Sequence, residues 1–481
     1  MNVAIIFRIL GILLMLFSLT HLLPLAVSIL YRDGEHMVFI LSFLITFVVG
    51  LIIWVPVYQA SSELKTRDGF LLTSLFWTVL GIFGALPLMM NNHLPLSASD
   101  AVFESISGLT TTGATVISGL DHLPKSLLYY RQQLQWLGGI GIIVIAVAIL
   151  PLLGIGGMQL YRAEPGPIKD SKLTPRITAT ASWLFFIYAM LTAACAFCYW
   201  LAGMDLFNAV AHSFSTIAIG GFSPHDASLG HYQNPLIWMV ACVFMFIAAL
   251  NFALHYYTYS RRTVQHYFSD SESKFYFFFI LISCIVVVLA LQLLPAARDD
   301  LYVYHAIFKV VSIATTTGFV TTDFSLWPSF LPFTLLFLSC VGGCGGSTGG
   351  GIKAIRIILI ARQGMRELRQ LIHPNAVIPI KLKGRSVPNT VLSAVWSFVA
   401  IYGLCFMAVV ILLQACGLDF VSAYSATIAT LNNLGPGLGS VTATYAQVSD
   451  PGKWVLCLSM LLGRLEIFTL LVLFTPAFWR R

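Results

Sequence analysis

Ten apolar runs constrain this chain more than anything else in its sequence. They cover roughly 3–30, 37–58, 70–90, 134–157, 181–202, 235–259, 275–294, 330–360, 391–416 and 453–475. Each is near or above the ~20 residues that cross a bilayer as a helix. In hydrocarbon every backbone N–H and C=O must be paired inside the protein, so such runs fold as helices. Composition agrees: of 481 residues, 58% are hydrophobic and 10% charged, against about 45–50% and 25% in soluble domains. That argues against nucleic-acid-binding domains, secreted disulfide scaffolds and disordered regulators. Almost all of the nine cysteines lie within apolar runs. Cys195 and Cys198 form a C-x-x-C with no second pair or histidine cluster nearby to make a zinc site. They read as small buried hydrophobes. The first run goes on to about Leu30, too long for a secretory signal, and no small-residue cleavage site follows.

Lysine and arginine set the orientation. Every second connection is basic: Lys65 and Arg67; Arg162, Lys169, Lys172 and Arg176; Arg261, Arg262 and Lys274; then Arg356 through Arg385. With Arg8, Lys353, Arg480 and Arg481, 20 of the 27 basic residues fall on one side. Six fall on the other (Arg32, Lys125, Arg131, Arg298, Lys309 and Lys453), and Arg464 lies within a span. The positive-inside rule then puts both termini in the cytoplasm. The net charge of +7 is mostly topology and needs no nucleic acid to explain it.

The connections on the other side contain a repeat. Residues 100–114 read DAVFESISGLTTTGA, 208–222 NAVAHSFSTIAIGGF, 305–319 HAIFKVVSIATTTGF and 422–436 SAYSATIATLNNLGP. Without gaps, Gly113, Gly221, Gly318 and Gly435 share one column, and Ala101, Ala209, Ala306 and Ala423 another. The first column holds Asp100, Asn208, His305 and Ser422, three of them favoured helix N-caps. Glycine spacings of 108, 97 and 117 residues give a period near 100, the mark of a repeat architecture. In each unit a spanning helix is followed by a short helix, a Ser/Thr/Gly-rich stretch and a returning span. A dozen helical residues cannot cross the hydrocarbon, but can dip in and return where irregular backbone lines a cavity.

The expected fold is therefore an all-α integral membrane protein. It has four tandem helix–pore-loop–helix repeats around one pseudo-fourfold pore, plus two N-terminal transmembrane helices. The units are 1–60 (the extra helices), 61–165, 166–262, 263–375 and 376–481. Four loops around one axis can stack rings of backbone carbonyls, which replace the hydration shell of a monovalent cation. Glycine lets carbonyls face inward, and the C-terminal ends of short helices favour positive charge.

Several strings are similar to the membrane subunits of bacterial Trk potassium-uptake systems, within the TrkH–KtrB–HKT superfamily of cation transporters. They are SGLTTTGAT at 107–115, RQQLQWLGGIGIIV at 131–144, HSFSTIAIGGFS at 212–223, GGCGGSTGGGIKAIRI at 342–357, ATLNNLGPGLG at 429–439 and GRLEIFTLLVLFTP at 463–476. The resemblance covers nearly the whole chain. It implies a homodimer with one pore per protomer, in the inner membrane. It also implies a cytosolic TrkA-type partner with RCK domains, through which a nucleotide (NAD or ATP/ADP) acts. The transported ion would be K+, with no covalent cofactor and no enzymatic activity. The implied ion-binding positions are Thr110, Thr111, Thr112 and Gly113; Ala218, Ile219, Gly220 and Gly221; Thr315, Thr316, Thr317 and Gly318; and Asn432, Asn433, Leu434 and Gly435. One glycine column rather than two suggests fewer well-formed sites than a TVGYG filter, hence potassium preference with some leakage to rubidium or sodium. Serine at the first filter glycine would favour sodium in related plant transporters; Gly113 is glycine here.

The third repeat carries seven glycines in ten residues, Gly342 to Gly351. Each costs about 1 kcal/mol against alanine inside a helix, so a straight helix is not expected there. The stretch ends in no Walker A Gly-Lys-Ser/Thr and is not GxGxxG. It reads as an intramembrane gate (Gly345, Gly346, Ser347, Thr348, Gly349, Gly350, Gly351) beneath the filter, or as close packing through small residues. Arg464, mid-span, costs ~2.5–3.5 kcal/mol on insertion scales. It is expected to face the cavity near the loop carbonyls, or else a buried carboxylate. Glu466 is on another face of the same helix. Glu104 reads as a loop partner or a bias for cations. Asp121, Asp226, Asp323 and Asp450 follow the four filters, as cation attractors or turn formers. The basic stretch 356–385 suits partner docking or plain cytoplasmic retention. The eleven histidines show no ligand spacing and read as structural or interfacial. An alternating-access carrier coupling K+ to H+ or Na+, and a sodium-selective relative, are the competing readings. Four repeats of one topology favour a pore over the inverted repeats common in carriers. No paired Asp, Ser/His set or metal cluster at depth suggests an intramembrane enzyme.

Overall fold

The structure, a computed structural model, describes residues 2–60, 65–144, 174–294, 300–328, 330–382 and 385–480. Helices α1 (Val3–Leu19) and α2 (Leu22–Tyr31) together make the first span, and α3 (His36–Trp54) returns. α1 and α3 touch through glycine: a Cβ on Gly11 would sit 2.8 Å from the Gly50 carbonyl oxygen, and one on Gly50 3.0 Å from that of Gly11. This is close crossing through small residues.

Four similar units follow. The first has α4 (Thr66–Gly84), α5 (Leu86–Met90), the short α6 (Ala98–Leu109) and α7 (Lys125–Val144). The second has α8 (Thr174–Leu201), short α9 (Leu206–Ala218), then α10 (Pro235–Ala248) and α11 (Phe252–Arg261). In the third, α12 (Gln265–Ser269) and α13 (Ser271–Leu293) lead to short α14 (Tyr302–Ala314), α15 (Phe330–Val341) and α16 (Ala354–Ile372). The fourth has α17 (Asn389–Ala415), short α18 (Phe420–Leu431), α19 (Asp450–Arg464), α20 (Phe468–Leu471) and α21 (Pro476–Trp479). A two-stranded antiparallel ribbon, β1 (Lys381–Leu382) and β2 (Arg385–Ser386), separates the third and fourth units.

Burial is inverted relative to a soluble fold. Leu30, Leu293 and Leu404 are exposed, while Glu104, Thr112, His212, Lys309 and Asn432 are fully buried among the short helices. An apolar exterior around a polar interior is what a bilayer-embedded bundle requires.

Two expectations about elements need correction. Six described helices are long and apolar enough to span, or eight if each sharply bent pair is one span, rather than ten. The run 235–259 bends by 92° between α10 and α11, and 453–475 by 111° after Arg464. The glycine stretch interrupts 330–360, and 134–157 passes outside the described residues after Val144. The first bend is held from both sides: the Asn251 side chain accepts the Ala253 N–H, and the Cys344 N–H donates to the Ala249 carbonyl at 2.8 Å. At the second, Glu466 and Ile467 adopt left-handed φ of 52° and 58°, which ends a helix. The short helices also start before the repeat's first column, by two residues in the first, second and fourth units and by three in the third. Their caps are Ser97, Asp205 and Asp419, whose side chains accept the N–H of Asp100, Asn208 and Ser422; the third helix begins after Leu301 without a side-chain cap. Asp100, Asn208 and Ser422 are thus the capped residues, not the caps. Arg162, Lys169, Lys172, Arg298, Lys383, Arg481 and the boundary between 165 and 166 lie outside the described residues.

Candidate functional site

Each short helix ends in the same backbone turn. The second residue of each tetrad is left-handed (Thr111 φ 50°, Ile219 55°, Thr316 65°, Asn433 53°), and so is each final glycine (Gly113 79°, Gly221 81°, Gly318 86°, Gly435 97°). The third residue's N–H reaches back to the helix: Thr112 to the Ser107 carbonyl, Gly220 to Ser215 and Thr317 to Ser312 at 2.8 Å, Leu434 to Ala429 at 2.7 Å. These are Schellman-type ends. Left-handed Thr and Ile are true outliers, a strain typical of functional loops.

The glycine column explains why four such turns coexist. A Cβ on Gly113 would lie 2.2 Å from the Gly220 oxygen, one on Gly221 2.1 Å from that of Thr317, one on Gly318 2.0 Å from that of Leu434, and one on Gly435 2.6 Å from that of Thr112. Each glycine therefore abuts the third-position carbonyl of the next repeat, and the fourth closes on the first. The sixteen tetrad residues are thereby brought together in one ring. Within it the hydroxyls of Thr110 and Thr112 are 2.8 Å apart, those of Thr315 and Thr317 2.7 Å apart, and Asn433 Nδ2 donates to Thr112 Oγ1 at 2.9 Å. Thr111 Oγ1 and Asn433 Oδ1 are buried oxygens without a hydrogen-bond partner among the described residues.

A polar frame braces the ring, and the sequence reading missed most of it. Glu104 and Arg131, both buried, pair at 2.7 Å. Glu104 also accepts the Thr115 hydroxyl at 3.0 Å and the Val116 N–H at 2.9 Å. Arg131 donates to the Ser223 carbonyl at 3.2 Å and lies over the Phe222 ring. Gln135 donates to the Gly220 carbonyl at 2.6 Å and accepts the Phe222 N–H at 3.1 Å. Helix α7 thus clamps the strand after the second short helix onto the one after the first. The available signal was Arg131, Gln132, Gln133 and Gln135 crowded at the start of an apolar run, a costly choice without a structural reason.

The glycine-rich loop lies against the ring. Gly350 N–H donates to Thr316 Oγ1 at 2.8 Å, and its added Cβ would be 1.9 Å from the Asn432 oxygen. A Cβ on Gly349 would be 3.0 Å from the Thr315 oxygen, and Thr348 Oγ1 donates to the Ile217 carbonyl at 3.1 Å. The loop therefore meets the second, third and fourth repeats. It is tethered by Glu272, which accepts the Gly345 N–H at 2.8 Å and the Ile355 N–H at 3.1 Å, and by Lys353, which donates to the Gly349 carbonyl.

Arg464 is buried but ends α19 at the bend, not mid-span. Its Nη1 donates to the Thr348 carbonyl at 3.0 Å, its Nε has no partner among the described residues, and the guanidinium faces the Trp77 ring. No carboxylate is paired with it among the described residues. Glu466 instead pairs with Arg356, whose guanidinium also covers the Phe398 ring. Arg464, Gly346, Ser347, Gly349, Gly350, Gly351 and Lys353 share one cavity wall.

The outer aspartates are engaged in loops. Asp226 accepts the Gly119 N–H, Asp323 caps a 3-10 turn at Ser325, and Asp450 accepts the Ser99 hydroxyl. Asp121 meets His225 at 2.5 Å. Desolvation raises the Asp121 carboxyl, but hydrogen bonds from His225 and from the Asp226 N–H outweigh it and hold it below the usual range. All nine cysteines are free thiols.

The TrkH family, described as cation transport proteins, matches residues 35–481. The Trk system potassium uptake protein TrkH of Halomonas elongata is 54% identical over 482 residues, covering all of both chains. TrkH of Escherichia coli is 50% identical over 98% of each chain, and TrkG of that organism 40% identical over 100% of this chain and 99% of its own. The crystal structure of the potassium transporter TrkH from Vibrio parahaemolyticus superposes with a TM-score of 0.93 at 50% identity, covering all of both chains. The chain belongs to the TrkH family of cation transport proteins.

Proposed function

We propose that this protein takes up potassium across the bacterial inner membrane through a channel-like pore. The selectivity filter consists of the carbonyls and hydroxyls of the sixteen tetrad residues. The observation that carries the reading is the closed circuit of glycine-to-carbonyl contacts, which brings four strained turns around one axis as a carbonyl filter needs. The potassium named for the matched relatives supports the choice of ion.

The gate is Gly345, Gly346, Ser347, Thr348, Gly349, Gly350 and Gly351, with Arg464 holding it closed through the Thr348 carbonyl. A buried guanidinium under a cation path repels cations, and moving the loop away relieves both obstructions. The units 61–165, 166–262, 263–375 and 376–481 are the four repeats, and both termini lie in the cytoplasm. There the exposed arginines of α16 suit a TrkA-type nucleotide-binding partner, and the protein acts as a homodimer.

The test is rubidium-86 uptake into sealed liposomes holding the purified protein, with potassium, sodium and N-methylglucamine as competitors. Uptake driven by membrane potential alone, blocked well by potassium and poorly by sodium, is the expected result. The breaks in the returning helices of repeats two to four also suit a carrier, whose sites often sit at discontinuous helices. A requirement for a proton or sodium gradient would replace the pore with that carrier.

A further inference from the structure

We propose that Asp121, His225 and His231 form a binding site for a divalent transition-metal ion of the zinc type, joining the outer rims of the first and second repeats. The metal site stands on its own geometry; its effect on ion flow rests on the pore reading above.

Asp121 lies in a 3-10 turn, Leu120–His122, after the first filter strand. His225 and His231 come from the loop after the second, with His231 closing the turn Ser228–His231. One ligand atom from each residue falls within 4.8 Å of the others. Asp121 Oδ1 is 2.5 Å from His225 Nδ1, and the two imidazoles stack in parallel, their centroids 3.7 Å apart and 5° from coplanar. Two imidazoles and one carboxylate are a donor set that zinc favours, leaving a fourth position for water. Tetrahedral metal–ligand bonds of about 2.0–2.2 Å put ligand atoms roughly 3.3 Å apart. Asp121 Oδ1 and His225 Nδ1, now 2.5 Å apart, must therefore part slightly and give up the proton between them, while atoms up to 4.8 Å apart close in. Asp121 and His231 are exposed and His225 only half-buried, so rotamer changes achieve this and the ion has an open approach.

The surroundings already orient the ligands, as outer partners do in metal sites. The Asp226 N–H reaches Asp121 Oδ2 at 3.4 Å, and Tyr232 Oη is 3.3 Å from His225 Nε2. The site is also wired to the filter. The His225 N–H donates to Ser223 Oγ at 3.1 Å, and the Ser223 carbonyl accepts from Arg131. A metal here fastens two of the four walls together and adds positive charge at the mouth. Zinc on the filter side bearing these loops therefore slows cation entry.

The experiment is calorimetric titration of zinc into the tag-free, chelator-dialysed protein in detergent, paired with rubidium-86 uptake in liposomes with and without zinc. Expected are one zinc per chain and at least tenfold weaker binding in both His231→Ala and Asp121→Asn. The zinc concentration that inhibits uptake should rise by a similar factor. His231 is exposed, so its variant is expected to fold; an unchanged melt checks this. No stoichiometric zinc in the wild type, or wild-type affinity in either variant, overturns the site. Zinc that binds and is lost in the variants, while uptake ignores it, overturns the coupling and leaves the pore reading untouched. Absence of rubidium uptake without zinc would sink the pore reading alone.

Discussion

Glutamine at Glu104 tests how the ring of tetrads is held. Glu104 and Arg131 are 0% and 1% exposed, so the pair is fully desolvated. Glu104→Gln keeps the shape but strands the guanidinium, and breaking a buried pair from one side costs about 3–5 kcal/mol. At about 1.4 kcal/mol per factor of ten, even the lower figure is over a hundredfold in the equilibrium between the braced and loosened strand. The amide also presents N–H groups where the Val116 N–H and Thr115 hydroxyl now donate. A lower melting temperature in detergent is expected, together with poorer discrimination between potassium and sodium in the rubidium competition assay. Glu104→Met with Arg131→Met removes both charges and should melt above Glu104→Gln, because the stranded charge is gone. Selectivity should stay degraded, because the Val116 N–H and the Ser223 carbonyl have lost their partners. Wild-type melting of Glu104→Gln, or a double variant no more stable than the single one, would refute the desolvated-pair account.

Three further outcomes follow from contacts already described. Gly318→Ala puts a methyl 2.0 Å from the Leu434 oxygen at a φ of 86°, so it should abolish selective rubidium uptake while the helices still form by circular dichroism. Arg464→Ala removes a buried cation and the tether to Thr348, and should raise cation flux in liposomes without a regulatory partner; unchanged flux in folded protein refutes its role. Gly11→Leu drives side-chain atoms into Gly50 and Trp54 and should lower the melting temperature while sparing the potassium-over-sodium preference, since α1 and α3 lie outside the four repeats.

The four short helices were legible because they recur. Column alignment identified Gly113, Gly221, Gly318 and Gly435 before any contact was known, and the same residues abut neighbouring carbonyls. The interruption at 342–351 was legible because seven glycines oppose a helix energetically. The bends at 249–251 and 465–467 were not, since hydropathy counts residue types and carries no direction, and Leu250 and Ile467 are as apolar as their neighbours. The caps were misplaced because Ser97, Asp205 and Asp419 precede the columns that align best. Pairs such as Glu104 with Arg131 and Asp121 with His225 join residues 27 and 104 apart in sequence. No local pattern encodes such contacts: the first needs the short helix to pack on the returning helix of its own unit, the second needs the first and second units to meet.

Gly350 separates gating from mere packing. If the glycine loop is only a close-packed joint, alanine there should destabilise the protein and leave or lower the flux. If the loop is a gate resting on the filter, the consequence has the opposite sign. A methyl on Gly350 cannot remain 1.9 Å from the Asn432 oxygen, and that oxygen belongs to a tetrad locked to its neighbours on both sides. The loop is held by separate single hydrogen bonds: the Gly350 N–H to Thr316, the Thr348 hydroxyl to Ile217, the Thr348 carbonyl from Arg464, the Gly349 carbonyl from Lys353, the Gly346 carbonyl from the Phe252 N–H and Glu272 at its ends. The loop should therefore yield before the ring does, withdrawing from beneath the fourth repeat. Gly350→Ala is expected to raise potential-driven rubidium uptake with potassium preference intact. Added to Arg464→Ala it should bring little further gain, because both release the same segment. Reduced uptake by a protein that melts like the wild type would refute the gate, and additive gains from the two changes would show that Arg464 and the loop obstruct ions independently.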